Sequence, residues 1–230
     1  MKNKLFQYST ITSLVQGNYD GELVLSEAAI HGNFGLGTFH ALDGEMIALD
    51  GVFYQMLSDG TVSVADKNIK SPFLSLCEFS EVDKTLSNAN VTSENLLEKI
   101  ELGDNQNKVV AIKIKGNFKK VSTRTVARQE KPYKKMYEIN NLQSDLVFEN
   151  VEGTIVGFYT PKFLNTIGVE GIHCHFINNK FDQGGHVKSF EIENAIVEIK
   201  ILNGVNLAFG EKPFASEDLQ AHIKKVEGER

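Results

Sequence analysis

Two cysteines among 230 residues, Cys77 and Cys174, stand in no spacing motif, which argues against a disulfide framework. No apolar run approaches the ~18 residues that a membrane-crossing helix needs. The start, Met1-Lys2-Asn3-Lys4-Leu5-Phe6-Gln7-Tyr8, carries two lysines but no apolar stretch of signal-peptide length. Positive charge is scarce: 24 Lys and Arg against 30 Asp and Glu leave a net charge of −6, so the footprint of a nucleic-acid binder is missing. Lysines gathered at Lys108 to Lys120 and Lys131 to Lys135 read as solvated strand and loop faces. Neither GxGxxG nor GxxxxGK[ST] occurs in Gly32-Asn33-Phe34-Gly35-Leu36-Gly37-Thr38. That segment reads instead as a loop whose glycines let the backbone approach something closely. No nucleophile elbow and no Ser-His-Asp constellation is visible. The expected location is the cytoplasm, where thiols stay reduced.

What remains is an ordinary globular composition, 41% hydrophobic and 23% charged, long enough for one large domain or two small ones. Ser9 to Gln16 reads as a short helix capped by Ser9 or Thr10, with Gly17 as its stop. Short strands are expected at Glu22 to Leu25, Met46 to Leu49, Val52 to Met56, Thr61 to Val64 and Phe73 to Phe79, separated by Asp-Gly turns. Ser93 to Leu102 reads as an amphipathic helix with Ser93 as N-cap and Leu96, Leu97 and Ile100 on its apolar face. Lys108 to Phe118 alternates as a half-buried strand. A polar loop around Pro132 follows. Strands are then expected at Leu146 to Phe148, Thr154 to Tyr159, Ile172 to Ile177, His186 to Ile192 and Ile196 to Leu202. Helices are expected at Pro161 to Ile167 and Ser216 to Glu227. The fold class is therefore α+β, with mixed or antiparallel sheets and a few short helices. The chain reads as a single unit over 1–230, or as two similar halves, 1–104 and 145–230, joined by a strand and loop connection.

Three of the six histidines fall within fourteen residues, as His173-Cys174-His175 and Gly184-Gly185-His186. On a strand His173 and His175 share one face while Cys174 takes the other. The ten residues after His175 end in Gln-Gly-Gly and can return His186 beside the pair. Three imidazoles on one wall leave a metal an open position, as catalytic zinc sites do. An HxH pair also arises by chance, and histidines on strands are commonly satisfied core or surface residues. A structural zinc fits less well, because such sites usually close all four positions with protein ligands, often thiolates.

Other groups are weaker signals. Glu45 follows the Asp43-Gly44 turn and could project into a site, although a surface glutamate reads the same way. Arg124 and Arg128 would share a face of an extended segment and could hold a carboxylate, as ordinary surface arginines also could. Asp182 reads as a turn residue rather than a fourth ligand. His31, His40 and His222 read as structural or solvated.

Taken in order, these pieces resemble the alpha-acetolactate decarboxylase family over nearly the whole chain. The matching motifs are Phe6-Gln7-Tyr8-Ser9-Thr10-Ile11, Gly35-Leu36-Gly37-Thr38, Leu42-Asp43-Gly44-Glu45-Met46 and Phe53-Tyr54-Gln55. Arg124-Thr125-Val126 with Pro132-Tyr133, Gly157-Phe158-Tyr159-Thr160-Pro161, His173-Cys174-His175-Phe176-Ile177 and Gly184-Gly185-His186-Val187 follow. The resemblance implies Zn2+ on His173, His175 and His186, acids at Glu45 and Glu227, an arginine at Arg124, a substrate-binding threonine at Thr38, and a homodimer. Ala127 departs from the family's Arg-Thr-Val-Pro run, which loosens the loop but removes no chemical group.

The implied reaction converts 2-acetolactate to acetoin and CO2. The substrate's adjacent hydroxyl and ketone can chelate one metal, which stabilises the enediolate left by loss of CO2 until a glutamic acid protonates it. A tight grip by Arg124 on the departing carboxylate would stabilise the ground state, so its expected role is to orient the substrate or bind its oxygens. A cupin-like metal oxygenase or isomerase is the competing enzyme reading. There a glutamate usually follows the HxH pair where Asn179 and Lys180 stand here. A binding module with packed histidines is the third reading.

Overall fold

In the computed structural model, residues 3–139 and 143–211 are described. In chain order they form β1 (Leu5–Tyr8), α1 (Ile11–Val15), β2 (Leu23–Val24), α2 (Leu25–Ala28), β3 (Phe34–Thr38), β4 (Glu45–Leu49), β5 (Val52–Met56), β6 (Val62–Val64), β7 (Lys70–Ser71) and β8 (Phe73–Cys77). Then come β9 (Lys84–Thr92), α3 (Leu96–Ile100), β10 (Val109–Val126), β11 (Gln143–Thr160), β12 (Gly171–Asn178), β13 (Gly184–Leu202) and β14 (Val205–Ala208). The helix expected over Ser216 to Glu227, with Glu227 and His222, lies outside the described residues.

A seven-stranded sheet runs β14-β1-β8-β3-β4-β5-β6, with β1 and β14 parallel and its other pairs antiparallel. A five-stranded antiparallel sheet runs β10-β11-β12-β13-β9, and β10 also pairs with β13, so four of its strands close on themselves. The expected class, mixed and antiparallel sheets with a few short helices, is the one observed.

Side-chain alternation fixes how the layers stack. On β4, Met46 and Ala48 pack outward with Phe6, Leu74 and Ala28 of α2. Ile47 and Leu49 face inward, with Phe34 and Leu36, against Ala111, Val156, Phe158 and Ile177 of the second sheet. The closed strands hold their own core of Val110, Ile112, Ile114, Phe118, Phe176 and Val197, joined by Leu96 and Ile100 of α3. Burying each such side chain contributes roughly 1.5–3 kcal/mol.

Several elements differ from the sequence reading, each for a packing reason. Phe34–Thr38 is a fully buried strand rather than a loop, because Gly35 and Gly37 let β3 lie close against Ser75, Leu76, Phe73 and Leu74 of β8. The first half of β10 is buried on both faces: Val110, Ile112 and Ile114 enter one core while Val109 and Ala111 enter the other. Lys113 tolerates that setting by meeting Glu198 at 2.7 Å and lying 4.7 Å from the centre of the Phe79 ring. The two expected strands at His186 to Ile192 and Ile196 to Leu202 are one, in which Asn194, at φ +58, marks a register shift instead of a turn. Likewise, Leu146 to Phe148 and Thr154 to Tyr159 belong to one strand, paired to β10 without a register break.

The helix after Ser93 covers only Leu96–Ile100, Leu97 is exposed, and Ser93 Oγ instead accepts from the Phe190 N–H at 2.7 Å. Pro161 opens a single 3-10 turn at Lys162–Leu164 in place of a helix. By contrast, Thr10 caps α1 as read, its hydroxyl accepting from Ser13 N at 3.1 Å, and Gly17 follows at φ +95.

A Cβ on Gly37 would meet the Phe73 carbonyl and, at 2.8 Å, Leu74 Cα, both backbone atoms that cannot swing aside. Gly37→Ala should therefore cost about 1–3 kcal/mol. The expected observation is a lower urea midpoint at unchanged slope; an unshifted midpoint would show that β3 and β8 part freely.

Candidate active site

Register assembles the site. In the seven-stranded sheet Thr38 lies opposite both Phe73 and Glu45, and Glu45 lies opposite Met56. Alternation turns Thr38 and Glu45 to the side of Leu36 and Ile47, toward the second sheet. In that sheet Arg124 of β10 and His175 of β12 both lie opposite His186 of β13. His173 stands two residues before His175 on the same face, while Cys174 points into the closed core with Phe176. The two rows meet: Glu45 Oε2 lies 3.4 Å from His175 Nε2.

The imidazoles are oriented by their other contacts. His175, 1% exposed, has Nδ1 2.8 Å from the Met46 carbonyl, which can only accept, so Nδ1 carries the proton and Nε2 keeps its lone pair toward the site. His186 Nε2 lies 3.2 Å from Arg124 Nη2, which places the guanidinium beside the ring. His186 Nδ1 is 3.3 Å from His173 Nε2. One ligand atom from each of the three histidines lies within 4.8 Å of the others.

The residues fit a divalent metal. The donor set is three imidazoles, one buried ring is aimed by a backbone carbonyl as metal-bound histidines usually are, and a carboxylate oxygen sits beside its lone-pair nitrogen. Such a nitrogen and oxygen at 3.4 Å are reconciled by a shared cation or proton. Asp182 stands apart, in the turn, accepting from Asn178 Nδ2 at 2.6 Å.

Thr38 and Arg124 line the same cavity as Glu45 and the histidines. The Thr38 hydroxyl donates to the Gly44 carbonyl at 2.7 Å, so its lone pairs are what it offers a ligand. Arg124 is 8% exposed and also donates from Nη1 to Gln143 Oε1 at 3.1 Å. Arg128 does not join it. The strand ends at Val126, and Arg128 turns outward to meet Asp43 at 3.2 Å. Glu227 lies outside the described residues. His40 accepts from Gly21 N at 3.0 Å and His31 stacks on Phe6 at 3.6 Å, both away from the cavity. Cys77 is excluded as a nucleophile, since complete burial pushes its thiol far above the ordinary range.

Sequence reasoning missed two parts. Gln143 belongs to no motif and reaches the cavity only because β11 pairs it with Val126. The apolar part of the lining, made by Ile11, Leu14, Leu42, Phe73, Val126 and Met136, comes partly from the apolar face of α1, whose spacing marks a core face but not a cavity.

Residues 5–221 match the family model described as alpha-acetolactate decarboxylase. The alpha-acetolactate decarboxylase of Brevibacillus brevis is 39% identical over 236 residues, covering 100% of this chain and 82% of that protein. That of Bacillus subtilis strain 168 is 44% identical over 206 residues, covering 89% and 81% respectively. The crystal structure of alpha-acetolactate decarboxylase from Bacillus subtilis strain 168 superposes with a TM-score of 0.93 at 41% identity, over 98% of this chain and 99% of that one. With fold and sequence in agreement, the chain belongs to the alpha-acetolactate decarboxylase family, a family of carboxy-lyases.

Proposed function

We propose that the chain decarboxylates 2-acetolactate to acetoin and CO2, with a zinc ion held by His173, His175 and His186. The observation that carries this reading is the facing of two rows, Arg124–His186–His175 on one sheet and Thr38–Glu45 on the other, with 3.4 Å between His175 and Glu45. Bound there, the metal supplies a Lewis acid for the substrate's adjacent hydroxyl and ketone oxygens, and so for the charge that develops as CO2 leaves.

The chain's own groups do the rest. Thr38, its proton committed to Gly44, accepts from the substrate hydroxyl. Arg124, held between His186 and Gln143, orients the substrate's oxygens rather than clamping its carboxylate. Glu45 delivers a proton to the carbon that loses CO2 and is reprotonated from water, so carbon dioxide leaves and one proton is taken up per turnover. Glu227 is the second acid that the family resemblance supplies. The apolar wall receives the substrate's methyl groups and excludes water from the carbanion. The reading includes a single unit over 1–230, acting as a homodimer in the cytoplasm.

Acetoin release from racemic acetolactate, before and after stripping metal with a chelator, tests the reading. Turnover should vanish on stripping and return with zinc. A metal-loaded protein without turnover would discard the reaction, and turnover indifferent to stripping would discard the metal.

A further inference from the structure

We propose that Gln143 holds the substrate's carboxylate through its amide nitrogen while its carbonyl oxygen anchors Arg124. The assignment rests on the decarboxylase reading of the cavity. Arg124 and Val126 share one face of β10, and Gln143 of β11 lies opposite Val126, so alternation brings the amide beside the guanidinium and into the cavity lining. An arginine has N–H groups only, so the Gln143 atom 3.1 Å from Arg124 Nη1 is the carbonyl oxygen. The amide nitrogen is thereby turned away from the guanidinium. Among the described residues that nitrogen donates no hydrogen bond.

The cavity's other polar groups are committed differently. Thr38 spends its proton on the Gly44 carbonyl, and Arg124 directs one Nη at Gln143 and the other at His186. Glu45, beside His175 at 3.4 Å, keeps its proton for the carbon that loses CO2. With the substrate's hydroxyl and ketone turned to the histidines and its methyl groups to the apolar wall, the carboxylate is the acceptor left for the Gln143 amide.

A neutral donor suits that position chemically. The carboxylate's charge migrates into the hydroxy-ketone part as the C–C bond breaks, so an ion pair on the carboxylate would stabilise the ground state and raise the barrier. An amide fixes the plane of the carboxylate with less of that penalty. Because its other end pins Arg124, one side chain sets the relative position of the leaving group and the guanidinium.

The test compares two ligands of the metal-loaded enzyme that do not turn over. One is 2,3-dihydroxy-2-methylbutanoate, in which an alcohol replaces the ketone and the carboxylate is retained; the other is acetoin, which lacks the carboxylate. Gln143→Glu keeps the shape and an acceptor for Arg124 but sets a negative charge against the ligand. Binding of the dihydroxy acid should weaken about tenfold or more, while acetoin binding stays within about twofold. A role confined to propping up Arg124 would move both ligands together or neither, and either result overturns the assignment. Should Gln143→Glu fail to fold, Gln143→Leu answers in the same titrations: loss selective for the acid supports the proposal, and unselective or absent loss overturns it. A wild-type enzyme that releases no acetoin and binds neither ligand overturns the decarboxylase reading and this assignment together. Wild-type turnover with an unselective Gln143 variant overturns this assignment alone.

Discussion

His186→Ala is expected to yield a folded protein that carries no stoichiometric metal and releases acetoin only at background. His186 is the middle of the cross-strand row, opposite Arg124 on one side and His175 on the other, and it is 6% exposed. Removing its ring takes away one of the three histidines that could hold a metal and also the ring that Arg124 Nη2 meets at 3.2 Å. Catalytic sites of this kind keep three protein ligands, and even the loss of an outer partner weakens metal binding about 10–100-fold, so the loss of a ligand should exceed that. A Lewis acid supplies several kcal/mol to the transition state. At 1.36 kcal/mol per factor of ten, turnover should fall by about a thousandfold or more. Metal content and acetoin release on the same preparation check this. Full metal occupancy in His186→Ala would remove the histidine from the ligand set.

Glu45→Gln should keep the metal and lose about 10²–10⁴ in kcat. The amide has the shape of the carboxyl group but no proton to give, and the β3–β4 pairing that places residue 45 opposite Thr38 is made by the backbone. Metal binding and thermal stability should therefore stay near wild type while protonation of the carbanion is starved. Turnover within threefold of wild type would transfer the donor's role to another acid, with Glu227 the first to replace. A loss confined to KM would instead mark Glu45 as a binding group.

Much of the candidate site was legible along the chain because its residues sit in short, chemically unusual strings. HxH on a strand needs only period-two alternation to put His173 and His175 on one face, and Cys174 indeed points into the opposite core. Gly184 and Gly185 beside His186 marked a return of the chain, and β12 and β13 pair there as a hairpin. Glu45 and Arg124 were visible as residues but not as neighbours of that hairpin. The misread elements share a cause. Gly35 and Gly37 in isolation look like loop residues, yet here the absence of side chains lets two strands approach. Two strands were expected on either side of Asn194, yet pairing with β10 on one side and β9 on the other carries one strand through it with a register shift.

Sequence alone determined the α+β class, the shared face of His173 and His175, and the three histidines as one group that could hold a metal, since each follows from local periodicity and residue chemistry. Only the tertiary structure decided that Glu45 lies across from His175, that Arg124 stands next to His186, that Arg128 turns away, and that Gln143 enters the cavity. Those contacts join residues from 19 to 130 positions apart. They depend on sheet register and on how two sheets stack, which are settled by the burial of whole faces rather than by any short stretch of chain.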